Sequence, residues 1–166
     1  MHIREAMMQE LDTIFSLVSR CTEHMIAQHV QQWDTLYPGA TLLTKDIEAQ
    51  SLFVAVDNHH LVGIIVLNED QEPEYREVPW RYPEGKALII HRLCVDPDAQ
   101  GKGIATQLMD FAEQYAREQY YTTIRLDAFQ ENPTAVALYK RRGYHKAGVV
   151  HFRKGLFDCF EKEINR

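Results

Sequence analysis

Two glycines stand in Gln100-Gly101-Lys102-Gly103-Ile104-Ala105, after an apolar run and ahead of a strongly periodic stretch. Glycines at the start of a helix leave backbone N–H groups bare at the positive end of its dipole, an arrangement that suits a phosphate. A strand-to-helix turn also uses glycine for its backbone freedom alone, so the loop by itself reads equally as an anion cradle or as a turn. His91 lies in the apolar run Ala87 to Val95, where an imidazole can take a proton near neutrality or serve as a hydrogen-bonded structural residue. Asp127 is a further candidate base, with an ion pair to Arg125 or Arg92 as its structural alternative. Cys94 lacks an evident base partner and reads as an inert strand thiol. Cys21 with His24, and His59-His60 in a turn, have no companion ligands, so no metal site is expected.

The elements that must position these groups follow from periodicity. Residues 1–5 read as a first strand, and Gln9 to Cys21 as a helix with Leu11, Ile14, Phe15 and Val18 inward. A second helix is expected over Thr22 to Trp33, broken by Asp34 to Gly39, with only a short turn at Asp46 to Gln50. Ser51 to Val56 and Leu61 to Leu67 form a hairpin about Asp57-Asn58-His59-His60. Asn68 to Gly85, with three prolines, is a long loop of the kind that edges a site. Ala87 to Val95 is the central strand, Gly103 to Gln119 a helix and Thr122 to Ala128 a strand. Asn132 at an N-cap, Pro133 at the first helical position and Gly143 past the end bound a short helix. Tyr144 to His151 and Gly155 to Glu163 close the chain as two strands. This order predicts an α/β chain with a mixed sheet and helices on its faces.

At 166 residues, without linker, repeat or low-complexity segment, the chain reads as one domain over 1–166. The formal net charge of −6 argues against binding nucleic acid through its phosphates. Three widely spaced cysteines fit a reducing compartment, and no signal peptide or membrane-spanning run is seen, so a cytoplasmic location without membrane attachment is expected.

With these blocks placed, the chain resembles the GNAT superfamily of acetyl-CoA-dependent N-acetyltransferases over nearly its whole length. Gln100-Gly101-Lys102-Gly103-Ile104-Ala105 matches that family's Q/R-x-x-G-x-G/A signature, preceded by Leu88 to Pro97. Arg125-Leu126-Asp127, Asn132, Ala135, Leu138-Tyr139 and Gly143-Tyr144 are similar to its second block. Gln32-Trp33 with Tyr37-Pro38, and His91-Arg92-Leu93, resemble features of small bacterial members. The resemblance implies a GNAT-like fold, a mixed and mostly antiparallel sheet flanked by helices, and acetyl-CoA as co-substrate.

Under that resemblance the pyrophosphate falls to the amides of Gly101, Lys102, Gly103, Ile104 and Ala105, with Gln100 and Thr106 as side-chain partners. Leu93, Cys94 and Val95 offer backbone to the pantetheine amides, and Asn132 adds a hydrogen bond to the cofactor beside its capping role. Tyr139 becomes the general acid for the leaving thiolate. Phenol to thiol is uphill by roughly 1.5 pKa units, or about 2 kcal/mol, from ordinary values. His91 is the proposed base. Trp33 and Tyr37 fall on the acceptor side, in a cation–π or a core role. Lys140-Arg141-Arg142 reads as a solvated run at a helix end, or as a ribose-phosphate contact. The expected reaction is direct transfer to a primary amine of a small molecule or peptide, with a homodimer left open.

Two rival functions differ in class. A dinucleotide-binding oxidoreductase would use Gly101, Gly103 and Asp127, but its third glycine is Thr106 here and a hairpin precedes the unit. A non-catalytic acyl-CoA sensor would keep the loop and dispense with turnover.

Overall fold

The computed structural model describes residues 1–164, and its first long element already departs from expectation. Helix α1 runs without a break over Leu11–Ala27. Ile14, Leu17, Val18 and Cys21 recur at the spacing of one helical face and are all buried, while Phe15 is 40% exposed. Cys21 and Thr22 continue that face rather than ending it, and the Thr22 hydroxyl donates back to Val18 O at 2.9 Å. The first half of the expected second helix over Thr22 to Trp33 is therefore the tail of the first, and residues 28–33 are not helical. The chain leaves it at Gln28, and His29 takes a positive φ of 61°. After Asp34, whose Oδ1 accepts the amides of Leu36 and Tyr37, helix α2 occupies Ala40–Glu48. Only a turn was expected there. Leu43 and Ile47, one turn apart, both enter the core.

Strands β1 (His2–Glu5), β2 (Leu52–Asp57) and β3 (His60–Asn68) lie in one compact unit, Met1–Leu67 with His91–Ala112. β1 and β2 pair antiparallel, as do β2 and β3. Their hairpin turns on Asn58 and His59, at φ of 48° and 66°, the left-handed pair that a two-residue turn requires. Leu52, Val54, Val56, Ile64 and Val66 pack with α1, α2 and Trp33 to form the core of this unit.

The other unit comprises Asn68–Ile90 and the chain from Glu113 onward. Strand β4 (Ala87–Val95) and helix α3 (Ile104–Glu118) each contribute residues to both units. Ala87, Leu88 and Ile89 pair parallel with Thr123, Ile124 and Arg125 of β5 (Thr123–Phe129). Helix α4 spans Pro133–Arg141, and β6 (His145–Phe152) and β7 (Gly155–Glu163) form the terminal antiparallel pair. β7 also pairs antiparallel with β5, which gives the seven-stranded order β1-β2-β3-β4-β5-β7-β6. The fold is thus the expected mixed sheet with helices.

Within this second unit Glu113 of α3 is 4% exposed and fully paired. Arg142 donates to its Oε2 at 2.7 Å, and Lys162 to its Oε1 at 2.6 Å. Arg142 is therefore a half-buried ion-pair partner and departs from the solvated run expected of Lys140 to Arg142. Among the described residues no helix is long and apolar enough to cross a membrane.

Candidate active site

In the first unit the glycine loop is held from its N-terminal side. Asp96 Oδ1 accepts the Asp98 amide at 3.0 Å, and Arg20 donates to Asp96 Oδ2 at 2.6 Å. Partial burial pushes the Asp96 carboxyl up, but the Asp98 amide and Arg20 outweigh it and hold the group below its ordinary range. Gly101 and Gly103 take φ of 80° and 77°, and a Cβ built on either meets nothing within 4 Å. Their requirement is conformational, and the space in front of them is open. The backbone bond at the start of α3 runs from Gln107 N to Gly103 O, so amides ahead of it have no acceptor within the helix. Lys102 and Thr106 are exposed, Ala105 is half-buried, and Ile104 is anchored in the core. The Gln100 amide reaches back to Val95 O at 3.4 Å. An open, positively polarised loop ahead of a 15-residue helix fits a pyrophosphate.

Strand β4 reaches this loop through Leu93, Cys94 and Val95. A Cβ on Gly63 of β3 would lie 3.1 Å from Cys94 O and 3.1 Å from Leu108 Cδ1, so its glycine permits a close backbone approach. Burial pushes the Cys94 thiol up, with Cys21 adding to the effect. A thiol held protonated in this way is a poor nucleophile. His91 is half-buried on the same strand. The next residue, Arg92, takes a positive φ of 49°, and its guanidinium grips Asp46 of α2 through two bonds of 2.8 Å. Arg92 Nη1 also donates to Tyr37 Oη at 3.0 Å. Tyr37 is thereby tied to β4 with its ring exposed, whereas Trp33 is 5% exposed within the apolar core. The Asp46–Arg92 clamp was not anticipated, because its partners are 46 residues apart and Asp46 belongs to no motif.

In the second unit α4 begins as its punctuation requires, with Asn132 Oδ1 accepting the Ala135 amide at 3.2 Å. Tyr139 is 7% exposed, and its ring meets those of Tyr144 and Phe160 at 6.2 and 6.1 Å. Burial, and after it the charge of Asp127, push the Tyr139 phenol above its ordinary value. It stays protonated at neutral pH but is a weaker acid than in solution.

Asp127 takes neither arginine expected of it. Its Oδ2 accepts the Tyr75 hydroxyl at 2.5 Å. Arg125 turns instead to Gln71 Oε1 at 2.8 Å and Tyr82 O at 3.1 Å, and lies 4.4 Å over the Trp80 ring. With Glu161 accepting the amides of Arg81 and Tyr82, these bonds tie the expected loop down as far as Tyr82. Tyr75, in a 3-10 turn over Pro73–Glu77, is the anchor that sequence reasoning missed. Its signal was an aromatic among prolines, followed closely by Trp80 and Tyr82. Burial raises the Asp127 carboxyl to about 6, with the Tyr75 bond opposing and Glu72 assisting.

The sequence model of the acetyltransferase (GNAT) family matches residues 9–144. The rat protein N-acetyltransferase family 8 member 2 is 33% identical over 99 residues, which are 59% of this chain and 40% of that protein. This chain thus spans about two fifths of the relative's length. The uncharacterized N-acetyltransferase YycN of Bacillus subtilis is 28% identical over 149 residues, covering 84% of this chain and 90% of that one. A GNAT-family acetyltransferase of Streptococcus agalactiae superposes with a TM-score of 0.88 at 20% identity, covering 99% and 96% of the two chains.

Proposed function

We propose, on the premise that the chain belongs to the GNAT acetyltransferase family, that it transfers the acetyl group of acetyl-CoA directly to a primary amine. The acceptor is a small molecule or a peptide, and residues 1–166 act as a single acetyltransferase domain. Three unpaired cysteines suit the reducing cytoplasm.

The observation that carries this reading is the open glycine loop, with Gly101 and Gly103 both left-handed and unobstructed ahead of α3. Acetyl-CoA supplies the activated thioester. The amides from Gly101 to Ala105 take its pyrophosphate, Gln100 and Thr106 add side-chain bonds and Lys102 adds charge. Leu93, Cys94 and Val95 pair their backbone with the pantetheine arm, and an amide there polarises the thioester carbonyl. Asn132 adds a hydrogen bond to the cofactor. Tyr37, its phenol oxygen fixed by Arg92, serves the acceptor side, while Trp33 takes the core role of its two expected alternatives.

Acetylating an alkylammonium removes two protons from nitrogen, one before attack and one from the adduct. His91 takes the proton of the adduct as the new C–N bond replaces the C–S bond. Tyr139 gives its proton to the departing thiolate. Cys94, buried and held as a thiol, takes no acetyl group.

Calorimetric titration with acetyl-CoA, followed by an amine panel scored by free thiol, tests the reading. Binding together with amine-dependent thiol release is expected. Binding without release by any amine would make the protein an acyl-CoA sensor, and no binding would sink the proposal.

A further inference from the structure

Asp46, Asp96, Glu113 and Asp158 are each paired with an Arg or Lys nitrogen, the longest of these contacts being 3.2 Å. Asp127 has no cation partner among the described residues. The groups that face it are Tyr75 and Glu72 from the loop, Tyr139 from α4, and Cys159 opposite it on β7. None of them can carry positive charge. Tyr75 is itself fixed, at 3% exposure, by ring contact with Trp80 at 5.3 Å and by Trp80 Nε1 donating to Tyr75 O at 3.0 Å. Its hydroxyl occupies Oδ2 of Asp127, while Oδ1 has no hydrogen-bond partner among the described residues. Tyr139, nine-tenths buried and likewise without such a partner, lies within the field of the same carboxylate. A half-buried anion without its counter-charge is costly, and a cation delivered by a ligand removes that cost.

We propose that Asp127 is the acceptor-side carboxylate, which binds the ammonium of an aliphatic primary amine and takes its proton before attack, with Tyr75 as the positioning residue. This rests on the acetyl-transfer reading, and it narrows the acceptor class to amines that are charged in neutral water. In the step one N–H bond breaks and one O–H bond forms on Asp127, leaving a neutral amine and a carboxylic acid. The acid later returns its proton to water. Its elevated affinity for a proton suits the task, since an ordinary carboxylate is too weak a base for an ammonium. Neutralising Asp127 also removes one of the two causes that raise the Tyr139 phenol, so the acid strengthens at the stage when it is needed.

The test uses the full chain, acetyl-CoA and two probe acceptors, benzylamine, which is charged at neutral pH, and aniline, which is not. Asp127→Asn should lower kcat/KM for benzylamine on the order of 100-fold relative to that for aniline, whose nitrogen arrives without the proton Asp127 removes. Tyr75→Phe removes a bond that favours the charged carboxylate, so the acidic limb of the benzylamine profile should rise by about one pH unit. Equal losses with both amines, or none, overturn the proposal, as does an unmoved limb. Should neither probe turn over, carbon-13 titration of the Asp127 carboxyl in the native protein decides. Its midpoint should stand above the ordinary carboxylate range, fall when benzylammonium is added and rise in Tyr75→Phe. A midpoint indifferent to benzylammonium refutes the proposal, whereas loss of acetyl-CoA binding refutes the acetyl-transfer reading instead.

Discussion

The Tyr139 ring is held by Tyr144 and Phe160 through its faces and edges, so the hydroxyl can be removed without disturbing the packing. Tyr139→Phe should therefore leave acetyl-CoA affinity and melting temperature near the parent values while lowering kcat on the order of 100-fold. Steady-state kinetics beside calorimetry would read this, and an unchanged kcat would end the acid assignment. Tyr139 could be singled out because it sits at a fixed distance from a capping Asn in a recognisable block. The setting of Asp127 could not. Its partner Tyr75 lies 52 residues away in a proline-rich loop, and the nearby arginine that looked like a partner is drawn off by Trp80, Gln71 and the Tyr82 carbonyl. Sequence proximity advertises charge pairing, but burial decides which polar groups actually meet.

At the scale of elements, local rules performed well where the chain satisfies them locally. The hairpin turn, the strand Ala87–Val95 and the capped helix α4 all rest on residues adjacent in sequence. The helices before β2 were harder to read, because Cys21 and Thr22 look like a boundary and serve as buried continuation of one face. Helix α2 was obscured by its threonines, poor helix formers that tertiary packing of Leu43 and Ile47 overrides. The glycine loop makes an element-level prediction. A side chain at residue 103 meets no steric obstacle but must adopt the left-handed conformation, at a cost of about 1–2 kcal/mol. If that cost re-aims the amides rather than unfolding the chain, Gly103→Ala should weaken acetyl-CoA binding about tenfold with little change in melting temperature. Calorimetry with thermal melts separates the outcomes, and unaltered affinity would return the loop to a plain turn.

For the molecule as a whole, the carboxylate proposed to receive the acceptor should be a liability to folding. Asp127 holds its proton to about 6 when folded, against an ordinary value of 3.8. A raised folded value means that stability linked to this proton is fully present below the unfolded value and lost as pH rises through about 6. Near pH 7.5 the folded protein therefore carries a penalty of up to about 3 kcal/mol that an uncharged side chain would avoid. Asp127→Asn keeps an oxygen that can accept the Tyr75 hydroxyl and removes the charge, so the variant should melt several degrees above the parent near pH 7.5. That advantage should shrink as pH falls through 6 and disappear below about 4. Glu10 and Asp96, whose carboxyls lie below their ordinary range, act in the opposite sense, losing stability as pH falls through their folded values. Both are common to parent and variant and cancel in the difference. A stability gain that ignores pH would trace to packing, and no gain at all would mean that Asp127 is comfortably solvated and has no need of a cation from the substrate. Stabilisation together with loss of alkylamine turnover is the signature of a group kept for function at the expense of the fold.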